Sequence, residues 1–187
     1  MKLKRIANIF SGVSFRTKIE HNPKGKYAVI QMRNLTEGYA DVETELDRID
    51  LPKSKMKYVL KENDVIIISK GAYNKAIEME GMTKPMIATS AFFIIRIKKP
   101  ELNSGYLTWF LNSVSTQNYF RQNQTGTYTP SLNKSILEDM EIPLPKLEKQ
   151  VQIAKLDRLH LRERKIQQDL ITLREQYIEN LLAQSIK

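Results

Sequence analysis

The sequence predicts an α+β protein, in which a small mixed β-sheet domain with flanking helices is followed by a long C-terminal coiled-coil helix. Residues 65–69 and 88–97 are mostly apolar and rich in β-branched and aromatic side chains, as buried strands are. Residues 104–120 place apolar side chains at helical spacing. From residue 146 onward the chain contains neither Pro nor Gly, which is typical of an uninterrupted helix.

The first part of the domain contains one clear strand. Residues 1–10 predict a short helix or an extended docking segment, and the polar, basic residues 14–26 predict an exposed loop. Residues 27–32 predict a strand with a largely apolar face, and residues 39–45 predict a second strand at a sheet edge.

The middle of the chain gives the strongest strand predictions. Residues 65–69 are the clearest buried strand, and Gly71 follows its end. Residues 72–86 are predicted to form a loop. Residues 88–97 predict a second buried strand, which Pro100 terminates.

Helices are expected after these strands. The predicted helix over residues 104–120 has Asn103 or Ser104 as its N-cap. Its apolar face consists of Leu107, Phe110, Leu111 and Val114. Residues 121–129 predict a polar loop, and residues 130–140 predict a short helix.

The C-terminal segment is predicted to be a rod. Pro143 and Pro145 favour an extended approach, so we expect the domain over residues 1–142 and the helix over residues 143–187. About 38 helical residues at ~1.5 Å each would extend roughly 57 Å. Glu163 interrupts an apolar stripe that we predict to pair with a second copy of the chain: Leu156, Leu159, Ile166, Leu170, Leu173 and Tyr177. The alternative is a helix that folds back onto its own domain.

Composition limits the classes of function. Thirty Lys and Arg residues against 21 Asp and Glu residues give a net charge of +9, which favours a polyanionic partner. The absence of Cys excludes disulfides and thiolate metal sites and fits a reducing cytoplasm. No apolar run is long enough to cross a membrane, so we expect a cytoplasmic protein without a membrane partner.

Enzyme motifs are absent from the sequence. There is no Gly-rich phosphate loop, and the two histidines, His21 and His160, stand in a polar loop and in the rod. The nearest approach to a nuclease pattern is Asp64 with Lys70, but Ile68 stands where a second acid is needed. Asp64 is better explained as a turn residue before a strand. We therefore predict no catalytic residue, no metal ligand and no cofactor of the chain's own.

Three polar loops, residues 16–26, 70–84 and 121–131, combine the groups that bind nucleic acid. Arg and Lys match phosphate and guanine, Asn and Gln match adenine, and Tyr can stack on a base. Any one such loop is more often ordinary solvated surface, but three on one basic domain favour a nucleic-acid surface. The predicted DNA-binding residues are Arg16, Lys18, Lys24, Lys26, Lys70, Tyr73, Asn74, Lys75, Lys84, Arg121, Gln122, Asn123, Gln124, Thr127, Tyr128, Thr129 and Ser131. The preferred base readers are Gln122, Asn123, Gln124, Thr127 and Tyr128.

Several short motifs occur in an order that points to a known family. They are IFSG at 9–12, YAVIQMRNL at 27–35 with Gly38, LKENDVI at 60–66 with Gly71, YL at 106–107 with LNS at 111–113, GTYTPSL at 126–132, and IPLPKLEKQ at 142–150 with Ile153. With these motifs the chain resembles the specificity subunit of type I restriction–modification systems. It departs from the family at Asn63, where a Gly is common. It also has one recognition domain and one long helix where full subunits have two of each, so it resembles a half-subunit.

The resemblance implies a non-catalytic subunit that reads double-stranded DNA. Two copies would associate through antiparallel helices and read an interrupted palindrome. A methyltransferase subunit would bring S-adenosylmethionine and methylate an adenine, and a restriction and translocase subunit would join the same assembly. Two other functions remain open from the residues alone: a metal-dependent DNA nuclease with a coiled-coil dimeriser, and a structural adaptor whose charge is incidental.

Overall fold

A computed structural model describes residues 1–35, 42, 45–71, 73–126 and 130–185. The predicted α+β class is confirmed, and the predicted single sheet is replaced by two. The described strands are β1 Ala7–Ser11, β2 Tyr27–Ile30, β3 Asp47–Ile49, β4 Val65–Ile68, β5 Ala76–Glu78, β6 Met86–Ala88 and β7 Phe92–Ile97. The described α-helices are α1 Ser104–Asn112, α2 Val114–Asn123, α3 Lys134–Asp139 and α4 Leu147–Ser185. Short 3₁₀ helices occur at Leu3–Arg5, Met32–Asn34 and Lys53–Tyr58.

The two sheets differ in their pairing. The larger sheet has the order β1-β7-β4-β5 and is antiparallel throughout. The smaller sheet has the order β3-β2-β6, in which β2 is antiparallel to β3 and parallel to β6. We call the part of the chain that contains both sheets and α1 to α3 the head.

Strand β4 lies at the centre of the head, and all four of its side chains are buried. Val65 and Ile67 face a cluster formed with α1, α2 and α3. Ile66 and Ile68 face the cluster formed with the smaller sheet. A strand covered on both faces shows a continuous apolar run, which is why β4 is so clear in the sequence.

Other strand predictions need correction. Residues 88–97 are not one strand, because a turn at residues 89–91 separates β6 from β7 and places them in different sheets. Residues 72–86, predicted to be a loop, contain β5 and the start of β6. Residues 1–10 form a 3₁₀ turn and then β1, an edge strand of the larger sheet. The strand predicted at residues 39–45 lies mostly outside the described residues.

The helix predicted over residues 104–120 is two helices. Ser113 has an extended backbone, and its side chain accepts a 3.3 Å hydrogen bond from the backbone N–H of Thr116, so it begins α2. The predicted N-cap Asn103 is confirmed, since it accepts a 2.9 Å hydrogen bond from Tyr106 N. Leu107 and Leu111 are buried as expected, whereas Val114 is exposed. Residues 121–123, predicted to be loop, form the last turn of α2.

Helix α4 is attached to the head through its first turns. Gln150 is completely buried, where its side chain accepts a 2.9 Å hydrogen bond from Asn103 N and donates to Glu101 O and Pro145 O, each at 2.8 Å. Ala154 packs so closely on Gly105 that a Cβ at residue 105 would lie 2.9 Å from Ala154 Cβ. These contacts hold the first two turns of α4 against the head.

Beyond this attachment α4 leaves the head. Every described residue from 158 to 185 is exposed. The prediction of a protruding helix is confirmed, and the alternative of a helix folded back along its own domain is wrong for these residues. The exposed portion after Arg158 extends about 40 Å at ~1.5 Å per residue.

Candidate nucleic-acid interface

Two of the predicted loops leave the larger sheet at the same edge. Strands β1 and β4 both run antiparallel to β7, so both end where β7 begins. The turn before β7 joins them: Val13 N donates to Ala88 O, and Ser69 N donates to Ala91 O, each at 2.8 Å. We call this side of the head the loop edge.

The second and third predicted loops meet at the loop edge. Gly71 N donates to Pro130 O, and Leu132 N donates to Ser69 O, each at 2.8 Å. A second bridge closes the third loop, because Ser131 N donates to Thr125 O at 2.9 Å. Residues 69–71, 73–75, 121–126 and 130–131 are therefore held together, and we call this set, with its exposed side chains, the platform.

Several predicted DNA-binding side chains are exposed on the platform. They are Lys70, Tyr73, Arg121, Gln122 and Asn123. Their exposure is compatible with contact to DNA, which stays a prediction for each of them. Thr127, Tyr128 and Thr129 lie outside the described residues, and Ser131 is half-buried.

Two predicted residues have structural roles in the platform. Asn74 is buried, and its amide donates a 2.8 Å hydrogen bond to Ile68 O. Gln124 is half-buried, and its amide donates to Gly71 O at 3.1 Å and to Asn74 Oδ1. These amides therefore bind the loops to each other. Contact of Asn74 and of the preferred base reader Gln124 with DNA stays a prediction.

The first predicted loop follows a different path. Arg16, Lys18, Lys24 and Lys26 are all exposed. The loop is fixed to the smaller sheet, since Asn22 N donates to Arg48 O at 2.8 Å and Arg48 Nε donates to Gly25 O at 2.8 Å. Gly25 is required there, because a Cβ would lie 2.5 Å from Ile49 N.

The basic residues that precede β2 and β6 lie away from the platform. Lys26 and Lys84 stand just before these neighbouring parallel strands, whose Ala28 and Met86 are paired. Strand β6 then runs from this end toward the loop edge. The structure thus brings the start of the second loop together with the third loop. It places Lys84, the last residue of the second loop, with Lys26 at the other end of the smaller sheet.

Asp64 is buried and forms an ion pair with the half-buried Arg96. Arg96 Nε and Nη2 donate to the two carboxylate oxygens of Asp64 at 2.9 and 2.6 Å, and Lys61 N donates at 2.8 Å. The turn predicted at Asp64 is present, since Asp64 N also donates to Lys61 O. Among the described residues no group of three His, Cys, Asp or Glu side chains is arranged to hold a metal ion. Asp64 is therefore explained by folding rather than by nuclease chemistry.

Sequence reasoning missed three residues with clear structural roles. Gln150 binds three backbone groups, Arg96 neutralises Asp64, and Arg158 pairs with acidic residues of the head. Of these three residues, only Gln150 belongs to one of the sequence motifs, the one at residues 142–150. The partners of Arg96 and Arg158 are distant in sequence, so no local pattern identifies them.

The protein is therefore a mixed α+β head that carries basic and amide side chains along one edge and continues into a protruding helix. This arrangement defines its architectural class. Residues 1–170 match the family described as the type I restriction modification DNA specificity domain. The chain belongs to this family.

Among described residues, no helix has the length and apolarity needed to span a membrane.

Known relatives agree with this assignment. The type I restriction enzyme MjaVIII specificity subunit of Methanocaldococcus jannaschii is 30% identical over 140 residues, which cover 71% of this chain and 32% of the relative. The HsdS subunit of Thermoanaerobacter tengcongensis aligns with a TM-score of 0.59 at 17% identity, covering 86% of this chain and 36% of that one. A chain of a type I R-M system aligns at 0.64 and 16% identity, covering 88% and 38%. The solved structures support the fold alone, and this chain spans about a third of the length of these relatives.

Proposed function

We propose that the chain is a sequence-specific DNA-binding specificity subunit of a type I restriction–modification system. The single observation behind this proposal is the platform, which unites two basic, amide-rich loops on the head of a specificity-domain family member. Lys70 and Arg121 are suited to phosphate or guanine contacts, and Gln122 and Asn123 to base edges.

We also propose that two copies pair through α4. The stripe residues are exposed along the protruding helix, and an exposed apolar stripe of this length favours a helical partner. An antiparallel pair would hold two heads at opposite ends, and its two-fold symmetry would make the DNA target an interrupted palindrome. The stripe consists of Leu156, Leu159, Ile166, Leu170, Leu173 and Tyr177.

In this proposal the chain reads DNA and its partners do the chemistry. A methyltransferase subunit binds S-adenosylmethionine and methylates an adenine in the target, and a restriction and translocase subunit can join the assembly. The complex would act in the cytoplasm, where its DNA lies. No observation favours the nuclease alternative, since the Asp64 carboxylate already accepts hydrogen bonds from Arg96 and from the backbone N–H of Lys61 in the turn.

The proposal is tested by selecting DNA from a random pool with the purified chain and its methyltransferase partner together. We expect enrichment of a motif with two half-sites related by a two-fold axis. Enrichment of no sequence would contradict the proposal and favour the adaptor alternative. Cleavage by the chain alone with Mg²⁺ would instead favour a nuclease.

Matched variants then test the platform. We expect Lys70→Ala to weaken binding similarly on all sequences and to lower the salt slope by about 1, as loss of one phosphate contact does. Gln122→Ala is expected to relax one position of the motif at a cost of about 1–3 kcal/mol. Lys99→Ala is the control, because this exposed lysine follows β7 at the opposite end of the sheet. Equal effects of Lys70→Ala and Lys99→Ala would refute the assignment of the platform.

A further inference from the structure

Arg158 connects α4 to the end of strand β5. Its Nη2 atom lies 2.9 Å from Glu78 Oε2 and 3.1 Å from Glu80 Oε2. Glu78 is the last residue of β5, which packs against α1. One guanidinium on the helix therefore joins two carboxylates of the head, and we call these three residues the base clamp.

The Glu78 carboxylate is the most buried of the three charged groups in this contact. The Glu78 side chain is 10% exposed, compared with 48% for Arg158 and 52% for Glu80. Its Oε1 atom is buried and has no hydrogen-bond partner among the described residues. Burial lowers the pKa of Arg158, but the hydrogen bond to Glu78 and the charges of Glu78 and Glu80 outweigh it, so the pKa is raised overall. The guanidinium thus stays charged beside a carboxylate that has little access to water.

Arg158 is also the last residue of α4 that is held by the head. Among the described residues, no later side chain of α4 makes a hydrogen bond or ion pair with the head. The two attachment points Gln150 and Ala154 are only about 6 Å apart along the helix axis, whereas Arg158 lies about 12 Å from Gln150. The base clamp therefore lies one turn beyond Ala154 and extends the length of helix that is bound to the head through side-chain hydrogen bonds and ion pairs.

A small change in that direction has a large effect at the far end. The helix continues for about 40 Å beyond Arg158, so a tilt of about 5° would displace its end by roughly 3.5 Å. This displacement matches the ~3.4 Å rise of one base pair. Arg158 contacts the head and is not one of the apolar stripe residues, although it lies between Leu156 and Leu159 in sequence.

We propose that the base clamp is a positioning element that sets the spacing between the two DNA half-sites. This inference rests on the proposed function. It identifies the residues that select the length of the gap between the two half-sites of the DNA target. The platform reads each half-site, and Arg158, Glu78 and Glu80 fix the angle at which each helix leaves its head. Loss of the clamp leaves both half-sites readable and makes the length of the gap less strictly selected.

The test uses the full chain with its methyltransferase partner and DNA in which the spacer between two half-sites is varied one base pair at a time. We expect the native chain to lose about tenfold in affinity one base pair from its preferred spacer, and Arg158→Gln to reduce that difference to about threefold or less. Affinity for a single half-site should be unchanged. Arg162→Gln is the matched control, since Arg162 lies one turn further along and is exposed. An unaltered spacer preference in Arg158→Gln would overturn the inference.

A second measurement is independent of DNA binding. The chain has no Cys, so spin labels can be placed at Val114→Cys on the head and Glu175→Cys on α4 alone. Labelled protein is diluted with unlabelled protein so that only distances within one chain are measured. We expect a narrow distance distribution in the native background and a broader one with Arg158→Gln, or with Glu80→Gln should the first variant fold poorly. A distribution that stays equally narrow refutes the clamp, whereas a native chain that binds no half-site pair refutes the proposed function instead.

Discussion

Two leucines in the protruding part of α4 test whether copies of the chain pair. Leu170 and Leu173 are 61% and 62% exposed and belong to the apolar stripe. They lie beyond Arg158, so their replacement leaves the head and its attachment untouched. We expect the double variant Leu170→Asp with Leu173→Asp to fold normally and to be monomeric.

The size of the effect follows from the exposed area. Burying a whole leucine side chain contributes about 1.5–3 kcal/mol, so burying the exposed portion of each contributes about 1–2 kcal/mol. A two-fold pair contains four such side chains, which gives about 4–8 kcal/mol. That loss corresponds to roughly three to six powers of ten in the dissociation constant. Aspartates forced into the contact would add a desolvation cost.

The measurement is the molar mass in solution by light scattering over a range of concentrations, with circular dichroism to confirm folding. A control with the same charge change is Gln168→Asp with Gln176→Asp, because both glutamines are exposed and lie off the stripe. The control should remain dimeric. A Leu170 and Leu173 double variant with the mass of a dimer would show that the stripe is not the interface.

Three further predictions concern the head. Gln150→Leu leaves three backbone groups without their partner and should lower the free energy of unfolding in urea by about 3 kcal/mol or more, whereas Gln152→Leu on the exposed face should change it by less than about 0.5 kcal/mol. Arg96→Met leaves Asp64 buried and unpaired and should cost about 3–5 kcal/mol, most of which a second change, Asp64→Leu, should restore. Hydrogen bonds and charges from two lysines lower the pKa of Asp139, so its contribution to stability is complete above the unfolded pKa of about 3.9 and is lost as the pH falls through the folded value. In acid melts, Asp139→Asn should therefore be less sensitive to pH below about 4 than the native chain.

The features that the sequence predicts correctly have local causes. Strand β4 is visible because all its side chains are buried and apolar, and α4 is visible because Pro143 and Pro145 precede a long segment without Pro or Gly. The N-cap Asn103 is visible because an amide before a helical pattern can bind the first free N–H groups. Each of these signals lies within a few residues of the structure that it specifies.

The features that the sequence does not predict depend on distant partners. Residues 88–97 are mostly apolar, and periodicity alone does not reveal that a turn near Thr89 and Ser90 divides them between two sheets. The platform depends on hydrogen bonds between residues 69–71 and residues 130–132, which are far apart along the chain. For the same reason Asn74 and Gln124 resemble free recognition groups in the sequence, whereas the fold uses their amides to join two loops.

The arrangement of these contacts separates two kinds of specificity. The platform side chains that face outward make few contacts with the core, so they can be exchanged without disturbing the sheet that supports them. The residues that hold α4, namely Gln150, Ala154 and Arg158, lie outside the platform and bind the backbone or β5. A change of platform residues should therefore alter the half-site and preserve the gap, and a change of the base clamp should do the reverse. The two domains of the proposed pair would then be free to acquire new targets while the distance between them stays fixed.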